Sequence, residues 1–135
     1  MQESENNTPT RVLVVDDEEP IRRLVEIILS RHGYNVQSCG GGNEALSMLG
    51  WFQPQVLLTD IVMPEGEGIE LITEVTKSYP GTCTITMSGN RTGRQFLGVS
   101  EALGAIYSLS KPFSEDTLVA AVAACENARS IAGRA

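Results

Sequence analysis

Three carboxylates, one hydroxyl and one ammonium occupy comparable places in this chain. Asp16 and Asp17 follow the apolar run Arg11-Val12-Leu13-Val14-Val15, and Asp60 closes Val56-Leu57-Leu58-Thr59. Ser88 follows Thr82-Cys83-Thr84-Ile85-Thr86-Met87, and Lys111 comes just after Ala105-Ile106-Tyr107-Ser108-Leu109. Hard oxygen donors with no Cys or His among them suit a Mg²⁺ ion that keeps some of its waters. Three carboxylates held close repel one another, and some pKa must rise unless a cation joins them. With Mg²⁺ between Asp17 and Asp60, one Asp60 oxygen stays available as a nucleophile. Phosphoryl transfer asks the protein mainly for positioning and charge neutralisation. Lys111 supplies positive charge beside the incoming group, and the Ser88 hydroxyl donates a hydrogen bond to it. Asp60 therefore reads as a phosphoryl acceptor.

Taken singly, each of these signals has a plainer explanation. An acidic pair before a helix is often only favourable N-terminal charge. A Ser-Gly after a strand is commonly a turn, a Lys-Pro a surface loop, and an Asp after an apolar run a cap. Their weight comes from the fold that gathers them.

The apolar runs ending at Val15 and Asp60 are continuous, which suits strands covered on both faces. Tyr34–Cys39 alternates weakly, as a short edge strand does. Thr82–Met87 and Ala105–Leu109 read as the fourth and fifth strands, the former rich in β-branched residues. Between them lie helical patterns. Pro20 suits a first helical turn, and Ile21, Leu24, Val25, Ile28 and Leu29 form one apolar stripe that Gly33 ends. Asn43–Leu49 is a short second helix, with Trp51 and Phe52 expected in a loop capping the core. Ile69, Leu71, Ile72 and Val75 mark a third, closed by Tyr79-Pro80-Gly81. Residues 91–103 form a weak fourth, because Gly93 and Gly98 each cost about 1 kcal/mol against Ala. Ser114 caps a fifth, whose buried side is Leu118, Val119, Val122 and Cys125.

Strands alternating with helices imply an α/β fold: one doubly wound, five-stranded parallel sheet with five helices. The flavodoxin-like order 2-1-3-4-5 is the natural arrangement, and it places the ligand site where strands 1 and 3 part. All parallel strands point one way, so Asp16, Asp17, Asp60, Ser88 and Lys111 gather at one edge. The domain spans 11–130, between a polar tail at 1–10 and a short tail at 131–135.

The quoted pieces resemble the receiver domain of response regulators, of the chemotaxis-regulator type, in two-component signalling. They are Val14-Val15-Asp16-Asp17-Glu18, Leu58-Thr59-Asp60-Ile61-Val62-Met63-Pro64, Met87-Ser88-Gly89 and Ser110-Lys111-Pro112-Phe113. They keep the family's order and spacing over residues 11–130. The resemblance implies that Asp60 is phosphorylated, by a phosphohistidine on a sensor histidine kinase or a histidine phosphotransfer protein. It implies that Asp17, Asp60 and the Val62 carbonyl bind Mg²⁺ directly, with Asp16 acting mainly through water. It also implies that Ser88 moves towards the phosphoryl group while the face made by helix 4, strand 5 and helix 5 repacks. The family's aromatic switch residue corresponds here to Ser108; Tyr107 is one place off and points to the opposite side of the strand. The glycines of the fourth helix either give the switch another route or only shorten that helix.

With no further domain after the fifth helix, a stand-alone module is expected. It would act by docking on a protein target or by relaying phosphate, with no substrate turnover of its own. One rival is a small haloacid-dehalogenase-like phosphohydrolase, but the position two past the nucleophile, usually acidic there, is Val62. Another is a pseudo-receiver that never takes phosphate, against which the complete acid pocket stands.

The net charge of −7 and the lack of any Lys/Arg run disfavour nucleic acid and anionic membrane. No apolar run reaches the roughly 18–20 residues that span a bilayer. The N-terminus lacks the pattern of a signal peptide, so a cytoplasmic protein is expected. Cys39, Cys83 and Cys125 are odd in number and widely spaced, so they read as small buried apolar residues and not as zinc ligands or disulfides.

Overall fold

A computed structural model describes residues 8–64, 67–89, 104 and 107–134. Its elements are β1 (Arg11–Val15), α1 (Glu19–Arg31), β2 (Asn35–Cys39), α2 (Gly42–Phe52), β3 (Val56–Asp60), α3 (Glu67–Ser78), β4 (Cys83–Ser88), β5 (Tyr107–Ser110) and a C-terminal helix (Glu115–Arg134). The expected fourth helix, at 91–103, lies outside the described residues. So do residues 105–106, the expected start of the fifth strand, and residues 1–7 of the expected tail. The five strands form one parallel sheet in the order β2-β1-β3-β4-β5.

Strand alternation divides the core in two. Val12, Val14, Val56, Leu58, Ile85, Met87 and Leu109 face α1 and the C-terminal helix, where they meet Val25, Ile28, Leu29, Leu118 and Val122. On the other face Leu13, Val15 and Leu57 pack with Ala45 and Leu49 of α2 and with Leu71 and Val75 of α3. Every residue of β3 and β4 is buried. Their continuous apolar and β-branched runs are what a strand covered on both faces requires.

Helix ends follow local chemistry. Pro20 sits in the first turn of α1, and the backbone turns left-handed at Gly33, φ +90°, just past its C-cap His32. The Ser114 hydroxyl accepts the Thr117 N–H at 3.0 Å and caps the C-terminal helix. That helix runs through Arg134, past the boundary expected at 130.

Three expectations are corrected. Trp51 and Phe52 are not a loop: α2 runs through Phe52 and stops at Gln53, whose φ of 51° is left-handed. Successive helical residues lie about 100° apart. Phe52 therefore turns into the core, while Trp51 is left 64% exposed. In α1, Leu24 falls outside the buried stripe and is half exposed, because Ile21, Val25, Ile28 and Leu29 already fill the face against the sheet.

The third correction concerns cysteine. Cys39 is a buried free thiol, as expected, but Cys83 and Cys125 form a disulfide with Cα atoms 5.8 Å apart. Their 42-residue separation concealed this, because pairing depends on the fold. Cys83 shares the side of β4 that carries Ile85 and Met87. Cys125 shares the face of the C-terminal helix that carries Leu118 and Val122, packed against them.

Gly50 offers a stability test away from any site. It lies exposed within α2, and a Cβ added there meets nothing within 4 Å. Gly50→Ala is expected to stabilise the protein by about 0.5–1 kcal/mol by lowering the entropy of the unfolded chain. Chemical denaturation would show a higher midpoint.

Candidate functional site

The carboxyl edge of the sheet is built by strand register. Asp60 pairs with Met87, and Ser88 with Ser110, so the functional ends of β3, β4 and β5 are stepped by one residue each. Backbone hydrogen bonds extend the pairing beyond the strands. Ile61 N donates to Met87 O at 3.0 Å, and Lys111 N donates to Ser88 O at 2.7 Å. The loop after Asp60 and the loop at Lys111 are thereby fixed against β4.

Asp16, Asp17 and Asp60 come together, each offering a carboxylate oxygen within 4.8 Å of the others. Asp16 is fully buried, Asp60 nearly so, and Asp17 exposed. The Asp16 carboxylate is oriented from both ends. Oδ1 accepts the Glu18 N–H at 2.9 Å, and Oδ2 accepts from Lys111 Nζ at 2.6 Å. Asp60 Oδ1 accepts the Val62 N–H at 3.0 Å, and its Oδ2 accepts from the same ammonium at 3.1 Å. Glu18 reaches Lys111 Nζ at 3.5 Å. One lysine therefore neutralises two buried acids that come from different strands.

Burial pushes the Asp60 carboxyl above its ordinary pKa, and the Lys111 charge and the Val62 N–H only partly offset this. For Lys111, burial works against the charge. The Asp16 hydrogen bond and the Asp60 charge outweigh it, leaving its pKa raised. The site therefore holds more negative charge than one lysine balances, as a cation-binding carboxylate cluster should.

Ser88 is 2% exposed, and its hydroxyl is the buried side-chain group without a hydrogen-bond partner among the described residues. An orphaned buried hydroxyl is costly. It sits at the end of β4, beside the strands that carry Asp60 and Lys111. Asp17, Glu18, Ile21, Asp60, Val62, Gly89, Lys111 and Pro112 line an open cavity of about 440 Å³ there. Every donor in the cluster is a hard oxygen, which fits Mg²⁺.

The structure adds residues that the sequence had not singled out. A Cβ on Gly68, in the first turn of α3, would lie 2.5 Å from the Ile61 carbonyl oxygen and 2.6 Å from that of Asp60. Only a glycine lets α3 press on the end of β3 so closely. Next to it, the Glu67 carboxylate accepts the Gly42 N–H at 2.7 Å and ties α3 to the start of α2. A glycine following the Met-Pro turn was the available signal. Gly68→Ala is expected to cost about 2–3 kcal/mol, as overpacking against rigid backbone does. It should also weaken Mg²⁺ binding by displacing the loop after Asp60. Denaturation curves and a Mg²⁺ titration would check both effects.

The chain's sequence matches the response regulator receiver domain family over residues 12–123. It belongs to that family. Among solved structures, this receiver domain is similar to NtrX from Brucella abortus in complex with ADP, with a TM-score of 0.88 and 26% identity over 94% of this chain. It spans only 29% of that NtrX chain. It is also similar to the chemotaxis response regulator CheY4 of Vibrio cholerae, with a TM-score of 0.77 and 29% identity over 87% of this chain and 99% of that one. A CheY-like receiver protein from Methanospirillum hungatei matches with a TM-score of 0.82 and 26% identity over 91% and 98%. The flavodoxin-like fold expected from the strand pattern is thus the fold of these receivers.

Proposed function

We propose that this receiver domain accepts a phosphoryl group on Asp60 from a phosphohistidine, carried by a sensor histidine kinase or a histidine phosphotransfer protein. The reading is carried by one observation. Asp17, Asp60 and Lys111 line one open cavity, Asp16 is held against the same lysine, and the orphaned buried hydroxyl of Ser88 lies at the adjoining strand end.

Each residue has a distinct task in this reading. Asp60 is the nucleophile, held by the Val62 N–H on Oδ1. Asp17, Asp60 and the Val62 carbonyl would hold Mg²⁺, with Asp16 in a supporting role. When bound, Mg²⁺ neutralises charge on the transferring group. Lys111 leaves its contacts with the acids enough to meet a phosphoryl oxygen, and Ser88 donates the hydrogen bond that its hydroxyl now lacks. Phosphorylation adds roughly −1.5 to −2 charges at this edge at neutral pH.

The response passes to the face made by the expected fourth helix, β5 and the C-terminal helix, where a protein target docks or phosphate is relayed. Tyr107 packs into the core beside α1 and the C-terminal helix. Ser108 points the other way and pairs its hydroxyl with that of Thr86 at 3.1 Å. Coupling from Ser88 down β4 therefore works through a hydroxyl pair and not through a swinging ring. The protein works in the cytoplasm and turns over no separate substrate. No helix among the described residues is long and apolar enough to cross a membrane. A phosphohydrolase of the haloacid-dehalogenase type is disfavoured by the apolar side chain of Val62 at the position of its second acid.

The test is incubation with a small phosphodonor such as acetyl phosphate. One phosphoryl group per chain should be incorporated, in a base-labile linkage and only with Mg²⁺ present. Absence of labelling with Mg²⁺ bound would leave a receiver that signals without phosphate. Steady release of phosphate from a phosphomonoester would favour the hydrolase.

A further inference from the structure

The cysteine pair that links β4 to the C-terminal helix lies outside the phosphoacceptor site, and nothing in the function above uses it. We propose that Cys83 and Cys125 are a thiol–disulfide exchange site, oxidised by low-molecular-weight disulfides and reduced by the corresponding thiols, whose bonded form locks the C-terminal helix onto the sheet.

Placement supports this. Cys83 opens β4, the strand that ends in Ser88 five residues later. Cys125 lies midway along the C-terminal helix, on the apolar face it shares with Leu118 and Val122. The two Cα atoms are 5.8 Å apart, within the range that a disulfide spans between packed elements. Closing the bond needs no rearrangement of the fold.

Access is gated by the same helix. Cys83 and Cys125 are almost fully buried, so a small disulfide or thiol reaches them only when the C-terminal helix lifts. Beside the buried apolar face of Leu118 and Val122, the polar ties of this helix are peripheral. Glu115 pairs with Arg31 at 3.2 Å and His32 at 3.1 Å, all well exposed. Glu126 accepts from Tyr34 OH at 2.8 Å and from Thr10 Oγ1 at 2.5 Å. Exposed ion pairs hold an element weakly, and single elements open locally at less cost than global unfolding. The disulfide is the one covalent tie between elements among the described residues, and it makes that opening rarer.

The chemistry balances. One cysteine thiolate attacks the small disulfide, expels one small thiol and forms a mixed disulfide. The second cysteine thiolate attacks the protein sulfur of that mixed disulfide and expels the second small thiol. Two protein thiols are oxidised, and one small disulfide becomes two thiols. Cys39 does not compete. It lies in the core on the opposite face of the sheet, and burial pushes its thiol up to about 11. In a reducing compartment, a disulfide that does form is usually transient and redox-sensing. The regulatory half of this inference rests on the receiver reading, in which the C-terminal helix belongs to the face that switches.

The test equilibrates the full chain in mixtures of reduced and oxidised glutathione, then counts free thiols by alkylation and mass spectrometry. Hydrogen exchange is followed in parallel. The thiol count should pass reversibly between one and three without loss of the far-ultraviolet helix signal. Amides of the C-terminal helix should exchange about tenfold faster in the reduced form, while those of β1 and β3 keep their protection. The Cys83→Ala/Cys125→Ala variant should exchange like the reduced form; if it does not fold, the two redox forms of the natural protein still decide. The rate of Asp60 labelling should be the same in both forms. A thiol count that stays fixed until denaturant is added would overturn the proposal, as would equal helix protection in the two forms. If Asp60 fails to label in either form, the receiver reading fails, and the thiol count still judges this one.

Discussion

Asp60→Asn is expected to abolish labelling by a small phosphodonor, with at least a ~100-fold loss, while making the metal-free protein more stable. The loss follows because an amide oxygen is not a nucleophile, and Asp16 cannot replace Asp60. Asp16 is buried with both oxygens engaged. The gain in stability follows from the direction of the Asp60 pKa. Burial raises it, so the folded protein holds that proton more tightly than the unfolded chain does. A carboxylate of this kind subtracts stability once ionised. Wild type therefore loses stability as pH rises through the raised pKa, and the variant does not. Asn keeps an oxygen for the Val62 N–H and for Lys111. The difference should be nil below the ordinary aspartate range and of order 1 kcal/mol at neutral pH, the scale of a poorly compensated buried group. Saturating Mg²⁺ should reverse the order, because only wild type offers the full set of acids. Thermal melts at two pH values, with and without Mg²⁺, check every sign. A variant that is less stable than wild type in chelator at neutral pH would mean that Lys111 compensates Asp60 fully.

The strand order and the gathering of the acids were legible because one physical rule governs both. A parallel sheet puts all its strand ends on one edge, so a residue type just past an apolar run reveals its place in three dimensions. Asp16, Asp17, Asp60 and Lys111 could be placed together on that rule alone. What stayed hidden depends on distance through space. Nothing in the spacing of Cys83 and Cys125 says that β4 and the C-terminal helix are neighbours. The close approach of Gly68 to the Asp60 and Ile61 carbonyls is likewise a property of how α3 is laid down. The exposure of Leu24 and Trp51 was missed for another reason. Hydrophobic stripes are wider on paper than the sheet beneath them, and a helix buries only the residues within reach of it. The hydroxyl pair of Thr86 and Ser108 lay between these cases. Alternation along β5 correctly separated Ser108 from Tyr107, but only the register of β4 against β5 identifies its partner.

Lys111→Ala is expected to destabilise the metal-free protein by about 3–5 kcal/mol, the cost of leaving buried acids without their counter-charge. The ammonium touches Asp16 at 2.6 Å and Asp60 at 3.1 Å, and all three side chains are largely buried. Removing it leaves the carboxylates facing one another across a low-dielectric edge. Its raised pKa means that this contribution is complete below the unfolded value of about 10.4 and is lost only as pH rises through the higher folded value. The penalty should therefore be flat across neutral pH. It should shrink only in acid, where the carboxylates take up protons. Mg²⁺ discriminates between two pictures of the site. If Lys111 stands where positive charge is needed and no cation is bound, the metal should recover most of the lost stability. The variant should then bind Mg²⁺ at least as tightly as wild type, since no ammonium competes for Asp16 and Asp60. Labelling of Asp60 should still be impaired, because in the proposed function the lysine is also the charge that meets the incoming phosphoryl group. A titration in which Lys111→Ala loses Mg²⁺ affinity would show that the lysine organises the acids and does not substitute for the ion. The competition between ammonium and metal at this edge would then be wrong.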